Sequence, residues 1–198
     1  MTSVEVTIVT TALPSIISQL HGLAYQSWIM SSYLLMTAIT TPIYGKLADS
    51  FGRKKIFMFG LLIFTLGSLL SGLAPNIWFL VIFRAVQGAG SGAIMPLTFT
   101  IIADNYDFEQ RAKIMAFNNT AWGISALIGP LLGGFLVDAL SWHWVFFVNV
   151  PLGIFVYFIT WYGYHEKFEK KVVKVDRNGI FVLSLALICL LVGIQYLE

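Results

Sequence analysis

The placement of the basic residues constrains this sequence more than any other feature. Eleven of its twelve Lys and Arg residues fall in three short segments, which are 46–55, 111–113 and 167–177. Apolar stretches long enough to cross a bilayer separate the three segments, and the alternate connections carry no Lys or Arg. Those connections lie near 21–27, 74–76 and 139–143. Because cationic loops are retained in the cytoplasm, the pattern predicts cytoplasmic basic segments and a cytoplasmic N-terminus.

The composition supports an integral membrane protein. Hydrophobic residues make up 58% of the chain and charged residues 11%, whereas a soluble domain carries about 25% charge. The net charge of +2 gives no reason to expect a nucleic-acid partner, because the basic segments serve topology and leave no basic stripe for phosphates. The expected partner is the lipid bilayer.

Seven apolar stretches approach the length of about 20 residues that a transmembrane helix needs. The predicted helices are 1–20, 27–47, 55–73, 77–103, 113–138, 144–164 and 179–197. We predict three units, which are a six-helix domain at 1–164, a charged cytoplasmic linker at 165–178 and a seventh helix within 179–198. Four tryptophans near the outer ends fit an aromatic belt, and they are Trp28, Trp78, Trp142 and Trp144.

The first helix is too polar to face lipid on every side. It contains Glu5 together with several threonines, and ionisable residues within membrane helices usually line a cavity or face the interior of the bundle. The alternative is that Glu5 lies in a frayed N-terminus outside the membrane, because only four residues precede it.

The fourth helix contains the one basic residue outside the three segments. Arg84 lies in the sequence FRAVQGAGSGAIMP, at 83–96. A buried cation is costly, which favours a functional role, although a long side chain can also extend to the interface. Arg84 and Gln87 are three residues apart and share a helix face. Gly88 and Gly92 form a GxxxG pattern that predicts close helix packing.

Two further motifs contain glycines at fixed positions. The first is GKLADSFGRKK at 45–55, where Asp49 and Arg53 form an opposite-sign pair around a glycine, as in a tight turn. A cytoplasmic loop with an incidental acid explains its charge equally well. The second is SALIGPLLGG at 125–134, where proline bends a helix and the glycines allow tight packing. The motif residues are Gly45, Asp49, Gly52, Arg53 and Lys54 in the first, and Gly129, Pro130, Gly133 and Gly134 in the second.

These motifs resemble the signatures of the major facilitator superfamily, and in particular its fourteen-helix drug:proton antiporters, the EmrB/QacA-like group. Two more stretches carry this resemblance, which are VEVTIVTTALP at 4–14 and SWHWVFFVNVPLG at 141–153. Five positions depart from the signatures. In the first stretch, Glu5 stands where Asp is usual and Thr10 where Asn is usual. Ser50 and His143 each stand where Arg is usual, and Ser125 stands where Gly is usual. The positions that match the signatures of helices 1 and 6 are Thr7, Pro14, Trp142, Trp144, Asn149 and Pro151.

The resemblance implies an all-α membrane fold and a transport function. The fold would be the N-terminal six-helix bundle, built of two inverted three-helix repeats, followed by a seventh transmembrane helix. The function would be drug:proton antiport across a bacterial plasma membrane, driven by the proton motive force without a cofactor. Its substrates would be small lipophilic or cationic compounds. In that role Glu5 would bind the proton or the substrate, while Arg84 would either tune Glu5 or bind the backbone of helix 1, and Gln87 would orient both.

The family fold has a second bundle, which this sequence lacks, and helix 1 looks short at its start. We therefore expect a partial chain, whose C-terminal bundle would be supplied in cis or in trans. The resemblance implies that residues 45–54 form a cytoplasmic latch and that the Gly-Pro motif at 129–134 marks an exporter. Two alternatives remain, namely a symporter or facilitator for a small nutrient and a non-transporting half-transporter subunit. The sequence gives no reason to expect an enzyme, since it has no HExxH, GxSxG or Cys/His metal cluster.

Overall fold

The computed structural model describes residues 2–166 and, beyond them, residues 179, 182, 184–186, 188–190 and 193. The described chain is helical and contains no strand. A single 3₁₀ turn at Leu23–Tyr25 joins the first two helices. The helices are α1 (Thr2–Leu20), α2 (Gln26–Phe51), α3 (Arg53–Gly72), α4 (Ile77–Asn105), α5 (Phe108–Ala139), α6 (His143–Phe147) and α7 (Asn149–Gly163).

Most of the predicted linker and seventh helix lies outside the described residues. Of the linker at 165–178, only His165 and Glu166 are described. Of the helix at 179–197, the scattered described residues are all helical.

Two differences from the predicted helix bounds have local causes. Helix α2 continues through the basic motif to Phe51 and ends where Gly52 adopts a φ of 99°, a conformation that glycine adopts without steric cost. The predicted sixth helix is divided into α6 and α7 at Val148. Pro151 has no N–H to donate to the Phe147 carbonyl four residues earlier, which weakens the helix at this point.

Five described segments are long and apolar enough to cross a membrane, which are α1, α3, α4, α5 and the combined span His143–Gly163. The chain is therefore a multi-pass membrane protein. Helix α2 is also long, but it is richer in polar residues, and three of them pair it with α4. These bonds run from Thr37 to the Gly88 carbonyl (3.1 Å), from Thr40 to Ala89 (3.2 Å) and from Thr41 to Gly92 (3.3 Å).

Helix α4 lies between α2 and α3, and glycines on two of its faces allow this. A Cβ atom on Gly88 would collide with the backbone of Tyr33 in α2, and one on Gly92 would lie 2.8 Å from the Thr37 carbonyl oxygen. On the other face, a Cβ atom on Gly90 would lie 2.6 Å from the carbonyl oxygen of Gly60 in α3. The predicted GxxxG contact is confirmed, and it holds α4 against α2.

The predicted aromatic belt is wrong for Trp142. Trp78 and Trp144 are 56% and 47% exposed, whereas Trp142 is 1% exposed. The Trp142 indole N–H donates to Gln19 at 2.9 Å, and its ring stacks on His143 with centroids 3.8 Å apart. A tryptophan whose N–H has an internal partner can be buried without leaving a polar group unsatisfied. Trp142 therefore joins the end of α1 to the start of α6.

Candidate functional site

The site is centred on Glu5, whose side chain is completely buried. It lies on the face of α1 that also carries Ile8 and Ala12, one turn and two turns further along, and these residues are buried as well. The spacing places all three on the stripe of α1 that faces the other helices. Glu5 is therefore a carboxylate inside the bundle, and it does not lie in a frayed terminus.

Arg84 supplies the positive charge that a buried carboxylate needs. Its Nη1 atom lies 2.5 Å from Glu5 Oε1, and both side chains are 0% exposed. The same Nη1 donates to Gln87 Oε1 at 2.8 Å. The structure thus brings together the three residues that the sequence singled out on two different helices. Arg84 binds the side chain of Glu5 and not the backbone of helix 1, and it does not extend to the interface.

Aromatic rings enclose the Arg84 guanidinium. Its central carbon lies 4.3 Å from the centroid of the Tyr33 ring and 5.8 Å from that of Phe146. Its Nε donates to the carbonyl of Ile29 at 3.4 Å, and the Tyr33 hydroxyl is bonded to Ser91 at 2.7 Å. Cation–π contacts and hydrogen bonds offset part of the cost of removing this cation from water. These contacts also fix the position of the charge that faces Glu5.

The second carboxylate oxygen of Glu5 is bound from the opposite side. Asn149 donates through Nδ2 to Glu5 Oε2, and the same nitrogen donates to Ser68 Oγ at 3.2 Å. Ser68 in turn donates to the carbonyl of Phe146 at 2.9 Å. From the sequence, Asn149 had no role beyond matching a signature, and Ser68 was not singled out. Besides that match, the sequence signal for Asn149 is an amide side chain in an otherwise apolar run.

The bonds of Glu5 limit what its carboxylate can bind. A carboxylate with one fixed cationic partner accepts a proton or a ligand cation only if its existing bonds are rearranged. The Gln87 Nε2 atom is buried close to this site and has no partner among the described residues. Among the residues that the structure describes, no group of three or more His, Cys, Asp or Glu side chains could hold a metal ion.

The motif at 45–54 forms a separate network with the C-terminal part of α4. Arg53 pairs with Asp49 at 3.9 Å and with Asp104 of α4, and it donates to the carbonyl of Thr100 at 3.2 Å. Gly52 provides the turn that the sequence predicted. A Cβ atom on Gly45 would have no neighbour within 4 Å in the described bundle.

Glu166 completes this network, although it lies in the stretch predicted as a linker. Its carboxylate accepts the backbone N–H groups of Arg53 (2.6 Å) and Lys54 (3.1 Å), which begin α3. A negative charge at this end complements the helix dipole and satisfies N–H groups that lack partners within the helix. The Lys54 ammonium donates to the carbonyls of Trp161 (2.7 Å) and Tyr164. The end of α7 is thereby attached to the start of α3.

The Gly-Pro motif on α5 lies against α1. A Cβ atom on Gly129 would collide with Thr7, and one on Gly133 would lie 3.0 Å from the carbonyl oxygen of Ile8. Gly134 has no neighbour within 4 Å of such an atom. Three prolines of the motifs are exposed, and they are Pro14, Pro130 and Pro151. The contact between α1 and α5 therefore uses the first two glycines of the motif, next to the turn that carries Glu5.

Replacing Gly129 by Val should weaken this contact, while the same change at Gly134 should not. The added side chain at Gly129 would force α1 and α5 apart at Thr7, at a cost of about 1–2 kcal/mol. The free energy of unfolding, measured by SDS titration of the purified chain in mixed micelles, checks the difference. Equal effects of the two substitutions would contradict the packing described here.

Comparison with known proteins identifies the family of the chain. The family model of the Major Facilitator Superfamily matches residues 1–196. The chain is 41% identical over 195 residues to Multidrug resistance protein 3 of Bacillus subtilis, which covers 98% of this chain and 38% of that protein. It is 34% identical over 193 residues to Multidrug export protein EmrB of Haemophilus influenzae, and this match covers 96% of this chain and 38% of that protein.

A solved structure shows the same fold at low sequence identity. An auto-inhibited peptide transporter of the POT family superposes with a TM-score of 0.66 at 17% identity, over 87% of this chain and 37% of the transporter. The chain thus spans well under half the length of the relatives compared. The match to the family model over almost all of its residues establishes that the chain belongs to the Major Facilitator Superfamily, a family of membrane transporters and not of enzymes.

Proposed function

We propose that this chain is the N-terminal part of a proton-coupled exporter of small lipophilic or cationic compounds. The observation that carries the proposal is the buried ion pair between Glu5 and Arg84, since a charged pair inside a transmembrane bundle is costly and marks an ion or substrate pathway. The relatives named for multidrug resistance and export support this class of substrate.

The exchange would take place at the Glu5 carboxylate. The ionised form is paired with Arg84, while a proton or a substrate cation would compete with Arg84 for the same oxygens. Only one of the three can neutralise the carboxylate at a time, which gives a simple physical basis for antiport. Gln87 would orient the pair through its bond to Arg84. The proton motive force would supply the energy, and no cofactor would be needed.

The network around Arg53 would act as a latch on the cytoplasmic side. Its support is the set of bonds that Asp49, Asp104 and Glu166 make with the start of α3. The N-terminus would be cytoplasmic and the protein would lie in a bacterial plasma membrane, as the distribution of Lys and Arg favours. The packing of Gly129 and Gly133 against α1 would close the bundle next to Glu5 and limit proton leak.

Alternating access in this family requires two bundles that rock around a site at the middle of the membrane. We therefore propose that a C-terminal bundle, in the same polypeptide or a separate one, completes the transporter. The large exposed apolar side chains of α5 are compatible with contact to lipid or to such a bundle, and they include Phe117, Leu127, Leu131 and Phe135.

Ethidium accumulation in cells without their own efflux pumps tests the proposal. Three arms are compared. They express the chain alone, a second-half bundle from a related transporter alone, and the two parts together. Protonophore-sensitive efflux is expected only when the two parts are present together. Efflux by the 198-residue chain alone would contradict the need for a second bundle. Absence of efflux in every arm, with both proteins verified in the membrane, would contradict the proposed function.

A further inference from the structure

The Glu5 carboxylate is held from two helices, one at each oxygen. Arg84 on α4 binds Oε1, and Asn149 at the start of α7 binds Oε2. Asn149 directly follows Val148, which lies between the end of α6 and the start of α7. One oxygen of the carboxylate is thus attached to α4 and the other to the junction of α6 and α7.

The Asn149 amide is committed to donating. Its Nδ2 atom has two hydrogens, and the two acceptors are Glu5 Oε2 and Ser68 Oγ. Ser68 can accept from Asn149 because its own hydroxyl hydrogen points to the Phe146 carbonyl. This direction of bonding depends on an ionised Glu5, since a carboxylate only accepts hydrogen bonds. The chain of bonds therefore runs from the carboxylate through Asn149 and Ser68 to the Phe146 carbonyl, near the junction of α6 and α7.

When a proton binds Glu5 Oε2, Asn149 has to accept a hydrogen bond there where it previously donated one. The new O–H group is a donor, and it faces an amide nitrogen that is also a donor. Rotation of the amide by half a turn places its oxygen at that position, and an amide oxygen can accept two hydrogen bonds. Ser68 then faces an acceptor, so its hydroxyl must turn toward Asn149 and leave the Phe146 carbonyl.

We propose that Asn149 is a positioning residue that holds the ionised Glu5 and, by rotating its amide when Glu5 takes up a proton, frees the Phe146 carbonyl from Ser68 at the junction of α6 and α7. This inference rests on the proposed function, because it requires that Glu5 binds a proton. The charged or titratable groups that face Glu5 are Arg84 from α4 and Tyr33 from α2. From α3 and α7, the described side chains that hydrogen-bond at this site are Ser68 and Asn149.

Infrared difference spectroscopy of the whole chain in lipid vesicles, between neutral and acid pH, tests the inference. The carbonyl band of a protonated Glu5 is identified by its loss in Glu5→Gln. In Asn149→Ala this band should shift to higher wavenumber, because the acid has lost the acceptor for its O–H. Asn149→Leu, which keeps the side-chain volume, should give the same shift if the alanine variant fails to fold. The matched control is Asn119→Ala, since Asn119 is exposed on α5, and its band should not move.

The outcomes distinguish a failure of the proposed function from a failure of the inference about Asn149. If no Glu5 band forms at any pH, Glu5 does not take up a proton, and both the proposed function and this inference fail. If the band forms and stays in place in both Asn149 variants, Asn149 serves only packing and the inference alone is overturned. A shift in the Asn149 variants, with none in Asn119→Ala, supports the inference. A loss of stability without a shift would also overturn it.

Discussion

Replacing Arg84 by Leu is expected to destabilise the bundle more than any other single change at the site. The substitution leaves the Glu5 carboxylate buried without a counter-ion, and breaking a buried pair from one side costs about 3–5 kcal/mol. It also removes the cation–π contact with Tyr33. The free energy of unfolding of the purified chain in mixed micelles, obtained by SDS titration, checks this value.

The double variant Arg84→Leu with Glu5→Gln separates the charge from the packing. Removing the unpaired carboxylate should restore more than half of the lost stability, because the destabilisation comes mainly from the uncompensated charge. Lys113→Ala serves as the control, since Lys113 is an exposed cation on α5 and should change stability by about 0.5 kcal/mol or less. Additive effects of Arg84 and Glu5 would show that the two residues do not form the pair described here.

Replacing Gly90 by Ala should produce the second largest loss. A Cβ atom at Gly90 would lie 2.6 Å from the carbonyl oxygen of Gly60 and 2.7 Å from the Cα of Phe64. Backbone atoms on α3 cannot move aside as a flexible side chain can, so the two helices must separate. We expect a loss of about 2–3 kcal/mol from this overpacking, measured by the same SDS titration.

Gly123→Ala is the matched control for this prediction. Gly123 lies on α5 with nothing within 4 Å of an added Cβ atom, and alanine favours a helix over glycine by about 1 kcal/mol. The substitution at Gly123 should therefore leave stability unchanged or raise it. A stabilised Gly90→Ala protein would show that α3 and α4 are not in backbone contact.

The helical fold was accessible from the sequence because lipid imposes a length and a composition on each span. The charge at Arg84 and the carboxylate at Glu5 were visible for the same reason, since both are rare inside apolar stretches. Their pairing was one of two possibilities that the family resemblance left open. It depends on how α1 and α4 are oriented, and glycine contacts between helices set that orientation.

Three other residues have roles in the structure that the sequence did not indicate. Ser68 is one of several small polar residues on α3, and only its contact with Asn149 distinguishes it. Glu166 stands in a stretch of mixed charge, where nothing separates a helix-capping carboxylate from a solvated one. Trp142 was expected at the interface because tryptophan prefers that region, whereas its partner Gln19 is distant in sequence. Each of these roles depends on contacts between residues that are far apart along the chain.

The central claim is that the Glu5 carboxylate exchanges protons for substrate, and substitution of Glu5 in the ethidium assay tests it most directly. The chain and a second-half bundle are expressed together, with wild-type, Glu5→Asp and Glu5→Gln forms at equal amounts in the membrane. Glu109→Gln, which removes an exposed acid at the start of α5, is the control. We expect protonophore-sensitive efflux to persist in the aspartate and control forms and to be lost in Glu5→Gln. Full proton-coupled efflux by Glu5→Gln would contradict the central claim.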